Sequence, residues 1–353
     1  MKILYLIHVD WHWILQRPQI LALYLEKDNY CCVVNKYKIF SRKITTLNPM
    51  PEHIINIPQM RGESRISLIK LINEFVYKYY LKKANNYDVI WICYPLLYKF
   101  IPFNYKGKII YDCMDDHLSM CSLVEYDELN KTENELLNKA DLVIYSSNHL
   151  ASIKQHLNKS VIVRNGYNIT KNMFAIKENE IKTIYHIGYI GTISSWLDFE
   201  LIEKASIVYK DVIFHFIGPV DIKIKDLLSR ISSKNIIYEG VVEHHHLQNK
   251  IRHYDALMMP FLINNTVLSV DPVKLYEYIA FGKPIISIWY PEISRFEDFA
   301  YFYNTHSQFF NILDLLKSNG FKTKYNRITR DAFLKENSWS ERYKIIYSYL
   351  SKL

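Results

Sequence analysis

Residues 271–284 have the types and spacing that could hold a phosphate group. Asp271 suits the N-cap of a helix and Pro272 its first position, and a glycine and a proline close the segment. Lys274 then falls in the first turn, where the helix dipole disfavours a cation unless an anion is bound. Glu277 follows one turn later on the same side, where its carboxylate could bind sugar hydroxyls. The segment indicates either an anion site or a surface ion pair on an ordinary helix.

A second group of polar residues follows the apolar run 109–112, which predicts a buried strand. Asp115, Asp116 and His117 stand directly after it. Carboxylates and an imidazole at a strand end can act as acid and base groups or bind sugar hydroxyls. A metal site is disfavoured, because consecutive residues point in different directions.

Two further segments carry candidate ligand-binding residues. Trp11 and Trp13 could stack on a sugar ring or pack in the core, and Arg17, near a helix start, suits an anionic or acceptor group. Gly191 and Thr192 stand between an apolar run and a helical stretch, where a glycine lets the backbone approach a ligand closely. The spacing of the glycines excludes a dinucleotide fingerprint and a Walker phosphate loop.

Short apolar runs alternate with helical stretches along the chain. The alternation predicts α/β domains with parallel, doubly wound sheets, which bind ligands at the carboxyl ends of the strands. An aspartate precedes three of the runs, at Asp88, Asp141 and Asp255. Two domains are expected, 1–166 and 167–338, with strands at 2–9, 33–35, 89–93, 109–112, 142–146 and 161–163 in the first and at 185–189, 212–217, 236–238, 256–260 and 284–288 in the second.

The composition limits the class of protein. With 353 residues and 49% hydrophobic content, the chain can form two large cores. No apolar run approaches the length of about 18 residues that a membrane span needs, and the first residues turn polar too soon for a signal peptide. The five cysteines lack paired spacing, which predicts a reduced, cytoplasmic protein without disulfides or a zinc site.

The net charge of +8 could attract nucleic acid, anionic lipid or a phosphorylated ligand. Nucleic acid is not an expected partner, because no nucleic-acid-binding motif accompanies the charge. Residues 64–83 interleave apolar residues with lysines and arginine. This pattern is typical of an amphipathic helix on an anionic membrane, or of an ordinary domain helix with solvated lysines.

With these motifs in this order, the chain resembles GT-B-fold glycosyltransferases of the glycosyltransferase family 4 clan. Within the clan it is similar to the bacterial surface-polysaccharide branch that includes teichuronic acid glycosyltransferases. The matching pieces span nearly the whole chain and are Arg17-Pro18-Gln19, the segments 111–116 and 140–143, Asn165-Gly166, the segments 188–192 and 271–278, and Ser338-Trp339.

The resemblance implies two Rossmann-like domains that face a cleft, with a nucleotide-sugar on the second domain and the acceptor on the first. A last helix, about 339–353, would pack back on the first domain. The implied donor-binding residues are Gly191, Thr192 and Lys274 at the diphosphate, Glu277 at the ribose, Gly240 and Val241 at the base, and the neighbouring Ser269, Val270 and Asp271.

In the first domain, Trp11, Trp13 and Arg17 are the expected acceptor-binding residues, and His117 falls where relatives place a histidine that contacts the donor sugar. One position departs from the family pattern. The first glutamate of the signature would stand eight residues before Glu277, where this chain has Ser269. Asp271 is near enough to replace it.

The expected activity is transfer of a sugar from a nucleotide-sugar to a glycan or lipid-linked oligosaccharide in bacterial surface polysaccharide synthesis. By resemblance the reaction retains configuration and needs neither metal nor cofactor. Lys274 would stabilise the leaving diphosphate, and Asp115, Asp116 or His117 would position the acceptor or act as base. The alternatives are a nucleotide-sugar epimerase or hydrolase, and an inactive sugar-nucleotide-binding subunit, which Ser269 would permit.

Overall fold

The computed structural model describes residues 1–353 except 13, 39–48, 63–65, 157–158, 169–175, 177–181, 232 and 243. The chain divides into two compact units, one formed by Met1–Asn165 with Trp339–Leu353 and the other by Gly166–Ser338. Each unit is built on one parallel sheet with flanking helices. The expected α/β class, with one doubly wound sheet in each half, is confirmed.

The first unit contains a seven-stranded sheet and the second a six-stranded sheet. The elements of the first unit are strands β1 (Lys2–Leu6), β2 (Tyr30–Lys38), β3 (His53–Gln59), β4 (Val89–Ile92), β5 (Lys108–Cys113), β6 (Leu142–Tyr145) and β7 (Ser160–Ile162), and helices α1 (Arg17–Leu25), α2 (Ser67–Leu81), α3 (His117–Met120), α4 (Leu123–Lys139) and α5 (Asn148–Lys154). The elements of the second are strands β8 (Tyr185–Ile190), β9 (Val212–Ile217), β10 (Ile236–Gly240), β11 (Ala256–Met259), β12 (Ile285–Ile288) and β13 (Ala300–Tyr303), and helices α6 (Phe199–Val208), α7 (Lys225–Arg230), α8 (His244–Arg252), α9 (Asn265–Leu268), α10 (Val273–Ala280), α11 (His306–Ser318) and α12 (Arg327–Glu336). The last helix, α13 (Trp339–Leu350), belongs to the first unit.

Strand order decides where each sheet can bind a ligand. The orders are β3-β2-β1-β4-β5-β6-β7 and β10-β9-β8-β11-β12-β13, and every pairing is parallel. The order therefore reverses between β1 and β4 and between β8 and β11. Open α/β sheets bind ligands at the carboxyl ends of the strands beside such a reversal.

Both faces of the first sheet are buried. Alternate residues of a strand point to opposite faces, so Ile3 packs in the core that includes Trp339 of α13, while Leu4 packs in the core of Tyr77 and Leu136. These last two residues belong to α2 and α4. The central strands are accordingly near-continuous apolar runs, which made them recognisable in the sequence.

The three aspartates that precede apolar runs have one structural role. Each carboxylate accepts a hydrogen bond from a backbone N–H near the start of the adjacent strand. The pairs are Asp88 with Lys2 (2.7 Å), Asp141 with Ile109 (3.0 Å) and Asp255 with His186 (2.9 Å). They satisfy backbone donors at the amino ends of β1, β5 and β8, and so link neighbouring strands.

Two strands were not expected from the sequence, β3 and β13. Each forms an edge of its sheet. Several residues of each strand are only partly buried, and β3 contains Pro58. An edge strand lacks the continuous apolar run of a central parallel strand, so its sequence signal is weak.

A buried ion pair links three segments of the first unit. Arg17 is 5% exposed and Asp112 is fully buried. Arg17 Nε and Nη2 donate to Asp112 Oδ1 at 3.0 and 2.8 Å, and Nη1 donates to the carbonyl oxygen of Val163 at 2.8 Å. The guanidinium therefore joins α1 to β5 and to the chain that follows β7.

Replacement of Arg17 by methionine should destabilise the protein by about 3–5 kcal/mol, because it leaves the Asp112 carboxylate buried without a cation. Urea unfolding of the wild type and the variant would measure the change. Arg327→Met is the control, since that side chain is 82% exposed in its pair with Asp331 and should contribute less than about 1 kcal/mol. Equal effects of the two substitutions would contradict this role for Arg17.

Candidate active site

The first candidate site lies at the carboxyl ends of β8 and β11, where the order of the second sheet reverses. Gly191 and Thr192 follow β8 directly. The chain that leaves β11 passes through α9 and enters α10, which carries Lys274 in its first turn and Glu277 one turn later. The fold thus brings together two segments that are about 80 residues apart in the sequence.

Gly191 and Lys274 are in direct contact. Gly191 has φ +142°, and a Cβ atom there would meet Lys274 Cε and lie 2.8 Å from Nζ. The ammonium lies 5.9 Å from the centre of the Tyr189 ring. Lys274 is half-buried, and within the described part of the chain it makes no hydrogen bond and no ion pair. A cation without a carboxylate partner, beside a bare backbone loop and a helix start, can bind an anion.

A second glycine, Gly218, lies at the same edge of the sheet and was missed by the sequence analysis. Gly218 follows β9 with φ +141°, and a Cβ there would lie 2.7 Å from the carbonyl carbon of Gly191. Its N–H donates to the carbonyl oxygen of Gly240 at 2.8 Å. The space around Gly240 is open, and Val241 is 74% exposed. The ends of β8, β9 and β10 therefore present backbone that a ligand can approach. The Gly-Pro pair after a predicted strand was the available signal.

The stretch before α10 differs from expectation. Asp271 is 2% exposed, pairs with Arg295, and accepts a hydrogen bond from the Tyr276 hydroxyl at 3.3 Å. The N-cap of α10 is Pro272, so Asp271 does not cap this helix. Arg295 packs over the rings of Tyr276 and Phe296. Direct donor binding by the Asp271 carboxylate, and its suggested replacement of the missing glutamate, are wrong in this structure.

Ser269 is also buried. It is 1% exposed, and its hydroxyl donates to the carbonyl oxygen of Asn265 at 3.0 Å, across the short helix α9. Its side chain is unavailable to a donor. Val270 is half-buried, and its carbonyl oxygen accepts a hydrogen bond from Tyr290 at 3.2 Å. Of the charged residues in the expected donor segment, Lys274 and Glu277 keep partly exposed side chains.

Two of the expected acceptor-binding residues are structural. Trp11 is fully buried, and its Nε1–H donates to the carbonyl oxygen of Pro49 at 3.0 Å. Arg17 is held by Asp112. Neither side chain has a free face for a sugar, so direct acceptor contact by Trp11 and Arg17 is wrong in this structure. Trp13 lies outside the described residues.

The carboxylates that follow β5 have different environments. Asp116 is 8% exposed and pairs with Lys154 at 3.5 Å, and Lys154 also pairs with Glu133 at 2.7 Å. Asp115 has no hydrogen bond or ion pair within the described residues. Desolvation raises the pKa of Asp115 to about 6, partly offset by the nearby Arg17. Asp115 is therefore suited to proton transfer near neutral pH, and Asp116 to anchoring.

Two residues near His117 were missed by the sequence analysis. His8 follows β1 and Tyr94 follows β4, and both rings contact the His117 ring. Burial lowers the pKa of His8 to about 4 and, together with repulsion from His8 and Lys154, lowers that of His117 to about 3. Both imidazoles are thus neutral at physiological pH. A lone histidine after an apolar run is a weak sequence signal, because most such residues are ordinary core side chains.

His117→Phe should reduce the acid sensitivity of the fold. Below its ordinary pKa of 6.5 the unfolded chain protonates this imidazole, while the folded protein, with a pKa of about 3, does not. The unfolded state then binds more protons, so acidification from pH 7 to pH 5 costs the wild type about 2 kcal/mol at this one residue. Urea unfolding at both pH values should show a loss smaller by about that amount in the variant. An equal loss in both proteins would contradict a buried, neutral His117.

Comparison with known proteins supports the fold. No family model matches the chain. It is 25% identical over 213 residues, 54% of its length and 52% of the relative's, to TuaH of Bacillus subtilis strain 168, whose assigned role, still provisional, is that of a teichuronic acid biosynthesis glycosyltransferase. The chain thus spans about half the length of this relative. The similarity to teichuronic acid glycosyltransferases is thereby confirmed.

Several solved structures match the whole chain. Sucrose-phosphate synthase from Thermosynechococcus elongatus aligns with a TM-score of 0.74 at 11% identity, covering 100% of this chain and 99% of that one. HepE from Anabaena, solved in complex with UDP, aligns with a TM-score of 0.72 at 15% identity and covers 100% of both chains. The expected GT-B fold, with two Rossmann-like units, is therefore confirmed.

Proposed function

We propose that the protein transfers a sugar from a nucleotide-diphosphate sugar to a glycan or lipid-linked acceptor in bacterial surface polysaccharide synthesis. The observation that carries the proposal is the unpaired Lys274 ammonium against Gly191, at the strand-order reversal of a GT-B unit. The provisional role of TuaH supports the polysaccharide assignment. The UDP and UDP-glucose in the HepE complexes support a nucleotide-sugar donor.

Lys274 would stabilise the leaving group. Breaking the bond between the anomeric carbon and the diphosphate leaves negative charge on the diphosphate. The ammonium and the N–H groups at the start of α10 would be in position before the reaction and would lie where that charge develops. Glu277 would bind the ribose hydroxyls, and the exposed backbone at Gly240 and Val241 would contact the base. In this proposal no metal and no cofactor is needed, because protein groups supply the positive charge.

On the acceptor side, Asp115 would orient the acceptor hydroxyl or take its proton, because its carboxylate is unpaired and its pKa is raised to about 6. Asp116 would hold its neighbours in place through Lys154. We propose retention of anomeric configuration, in which a phosphate oxygen of the leaving group can accept the proton. Assignment of the product linkage by NMR tests this part, and an inverted linkage would overturn it.

Lys274→Met should weaken binding of the nucleotide-sugar by about 10–100-fold and reduce transfer at least as much, because it removes a charged hydrogen-bond donor to the diphosphate. A thermal-shift screen of UDP-, GDP-, dTDP- and CMP-sugars would first identify the donor, and calorimetry would then measure both affinities. Lys204→Met is the control, since Lys204 is an exposed lysine of the same unit. If the wild type binds no nucleotide-sugar, the proposed function is wrong.

The proposal also includes a peripheral membrane contact through α2. It is supported by the apolar residues on the side of the helix that faces solvent. The helix buries only Asn73, Tyr77 and Leu81. The Asn73 side chain accepts a hydrogen bond from the N–H of Met60 at 2.8 Å and donates one to the carbonyl oxygen of Met60 at 3.0 Å. The apolar face is therefore turned outward. Its exposed fractions are 65% for Leu68, 63% for Leu71, 40% for Ile72, 70% for Phe75 and 61% for Tyr79.

The spacing places these five residues on one stripe of the helix. An exposed apolar stripe is unfavourable in water and indicates an interaction surface. Lys78, Lys82 and Lys83, on or just beyond the same helix, are exposed as well. We therefore propose that α2 docks on an anionic bilayer, with apolar side chains in the interface and lysines at the headgroups. The cytoplasmic face of the cell membrane is the proposed location.

No helix within the described residues is both long enough and apolar enough to cross a membrane.

The double substitution Leu71→Glu with Phe75→Glu should abolish binding to phosphatidylglycerol vesicles, because it places charge in the apolar stripe. Co-sedimentation would measure the bound fraction, and phosphatidylcholine vesicles should bind the wild type weakly. Ile328→Glu is the control, because Ile328 is an 81% exposed apolar residue of the other unit. Equal binding by the double variant and the wild type would contradict docking through α2.

A further inference from the structure

Three aromatic rings meet at the carboxyl edge of the first sheet, where the strand order reverses between β1 and β4. The His8 ring stacks on Tyr94 at 5.0 Å between centres, and the His117 ring meets both edge-on, at 5.5 Å from His8 and 4.9 Å from Tyr94. The three residues come from the segments that follow β1, β4 and β5. Each ring therefore fixes the other two.

The two histidines carry buried nitrogens without partners. Nδ1 of His8 and Nε2 of His117 make no hydrogen bond within the described residues. His117 is only 7% exposed, and its ring hydrogen-bonds to the backbone of Cys93. Although the pKa of His117 is lowered overall, this one contact acts in the opposite direction and raises it. The imidazole therefore donates an N–H to the carbonyl oxygen of Cys93. Nδ1 of His117 is then the donor, and Nε2 carries a free lone pair.

Such nitrogens call for a ligand of a definite kind. A buried polar atom without a hydrogen-bond partner is energetically unfavourable, so most such atoms are satisfied in the functional state. The lone pair of a neutral His117 accepts a hydrogen bond and repels an anion. A phosphate or carboxylate, which offers only acceptor oxygens, does not fit it. A hydroxyl group donates to one nitrogen and accepts from another, and so fits a pair of neutral imidazoles.

We propose that His8 joins His117, for which the resemblance already implies a contact with sugar, in a site for a sugar hydroxyl, with Tyr94 holding both rings in place. The inference rests on the proposed function and adds His8 to the residues that touch substrate. The hydroxyl belongs either to the transferred sugar or to the acceptor, and both sources offer the same chemistry.

Three substitutions of His8 test the site. His8→Phe keeps the ring packing against Tyr94 and His117 and removes both nitrogens. His8→Asn places an amide atom near the Nδ1 position, and His8→Gln places one near Nε2. Each variant is assayed with the nucleotide-sugar that the wild type turns over, with the matching nucleoside diphosphate, and with acceptor. Melting temperatures report whether the fold is kept.

We expect His8→Phe to lower kcat/KM by roughly tenfold or more, with nucleoside diphosphate affinity and melting temperature close to those of the wild type. His8→Asn should recover more activity than His8→Gln, which a purely structural role would not require. A raised KM for the nucleotide-sugar assigns the hydroxyl to the donor, and a raised KM for the acceptor assigns it there.

Transfer by His8→Phe at the wild-type rate overturns the inference and leaves the proposed function intact. If the Phe variant does not fold, wild-type activity in both the Asn and Gln variants overturns it equally. A wild type that binds no nucleotide-sugar and transfers nothing overturns the inference and the proposed function together.

Discussion

Parallel strand pairing is the constraint on which both candidate sites depend. Parallel strands need long crossover connections, so every strand of a sheet ends at the same edge. In the first unit, β1 lies between β2 and β4, and in the second, β8 lies between β9 and β11. From each of these first strands, the chain adds later strands on one side of the sheet and then on the other. The loops after these strands diverge and leave the carboxyl edge accessible. Gly191 with Lys274, and His8 with His117, lie at these two points.

The charges near these edges follow a simple rule. Asp112 and Asp271 are buried and pair with arginines, because a charge removed from water needs a partner. Lys274 and Asp115 are partly exposed and have no such partner in the described part of the chain. The paired charges hold the loops in position, and the unpaired ones are available to a ligand. The structural carboxylates differ from the candidate catalytic one, Asp115, in being buried and paired with an arginine, and not in residue type.

The structure shows the environment of Ser269, the position that departs from the family pattern. A glutamate there would be expected to contact the transferred sugar, but the serine is buried and bonded within α9. Asp271 cannot replace it, because Arg295 occupies its carboxylate. In the proposed function, recognition of the sugar then depends on other groups. The pair of neutral imidazoles formed by His8 and His117 offers hydrogen bonds without charge, which suits a hydroxyl-rich ligand.

The fold class could be inferred from the sequence alone, because buried parallel strands are continuous apolar runs and the three strand-start aspartates mark where they begin. It also predicted that Lys274 stands in the first turn of a helix, although Pro272 and not Asp271 is the N-cap of that helix. It did not reveal the edge strands β3 and β13, which are only partly buried. The three-dimensional contacts were needed to show that Trp11 and Arg17 are internal and that Asp271 pairs with Arg295. They also showed that α2 turns its apolar stripe outward and that the His8 and His117 rings are in contact. Each of these depends on contacts between residues distant in the chain, which local patterns do not record.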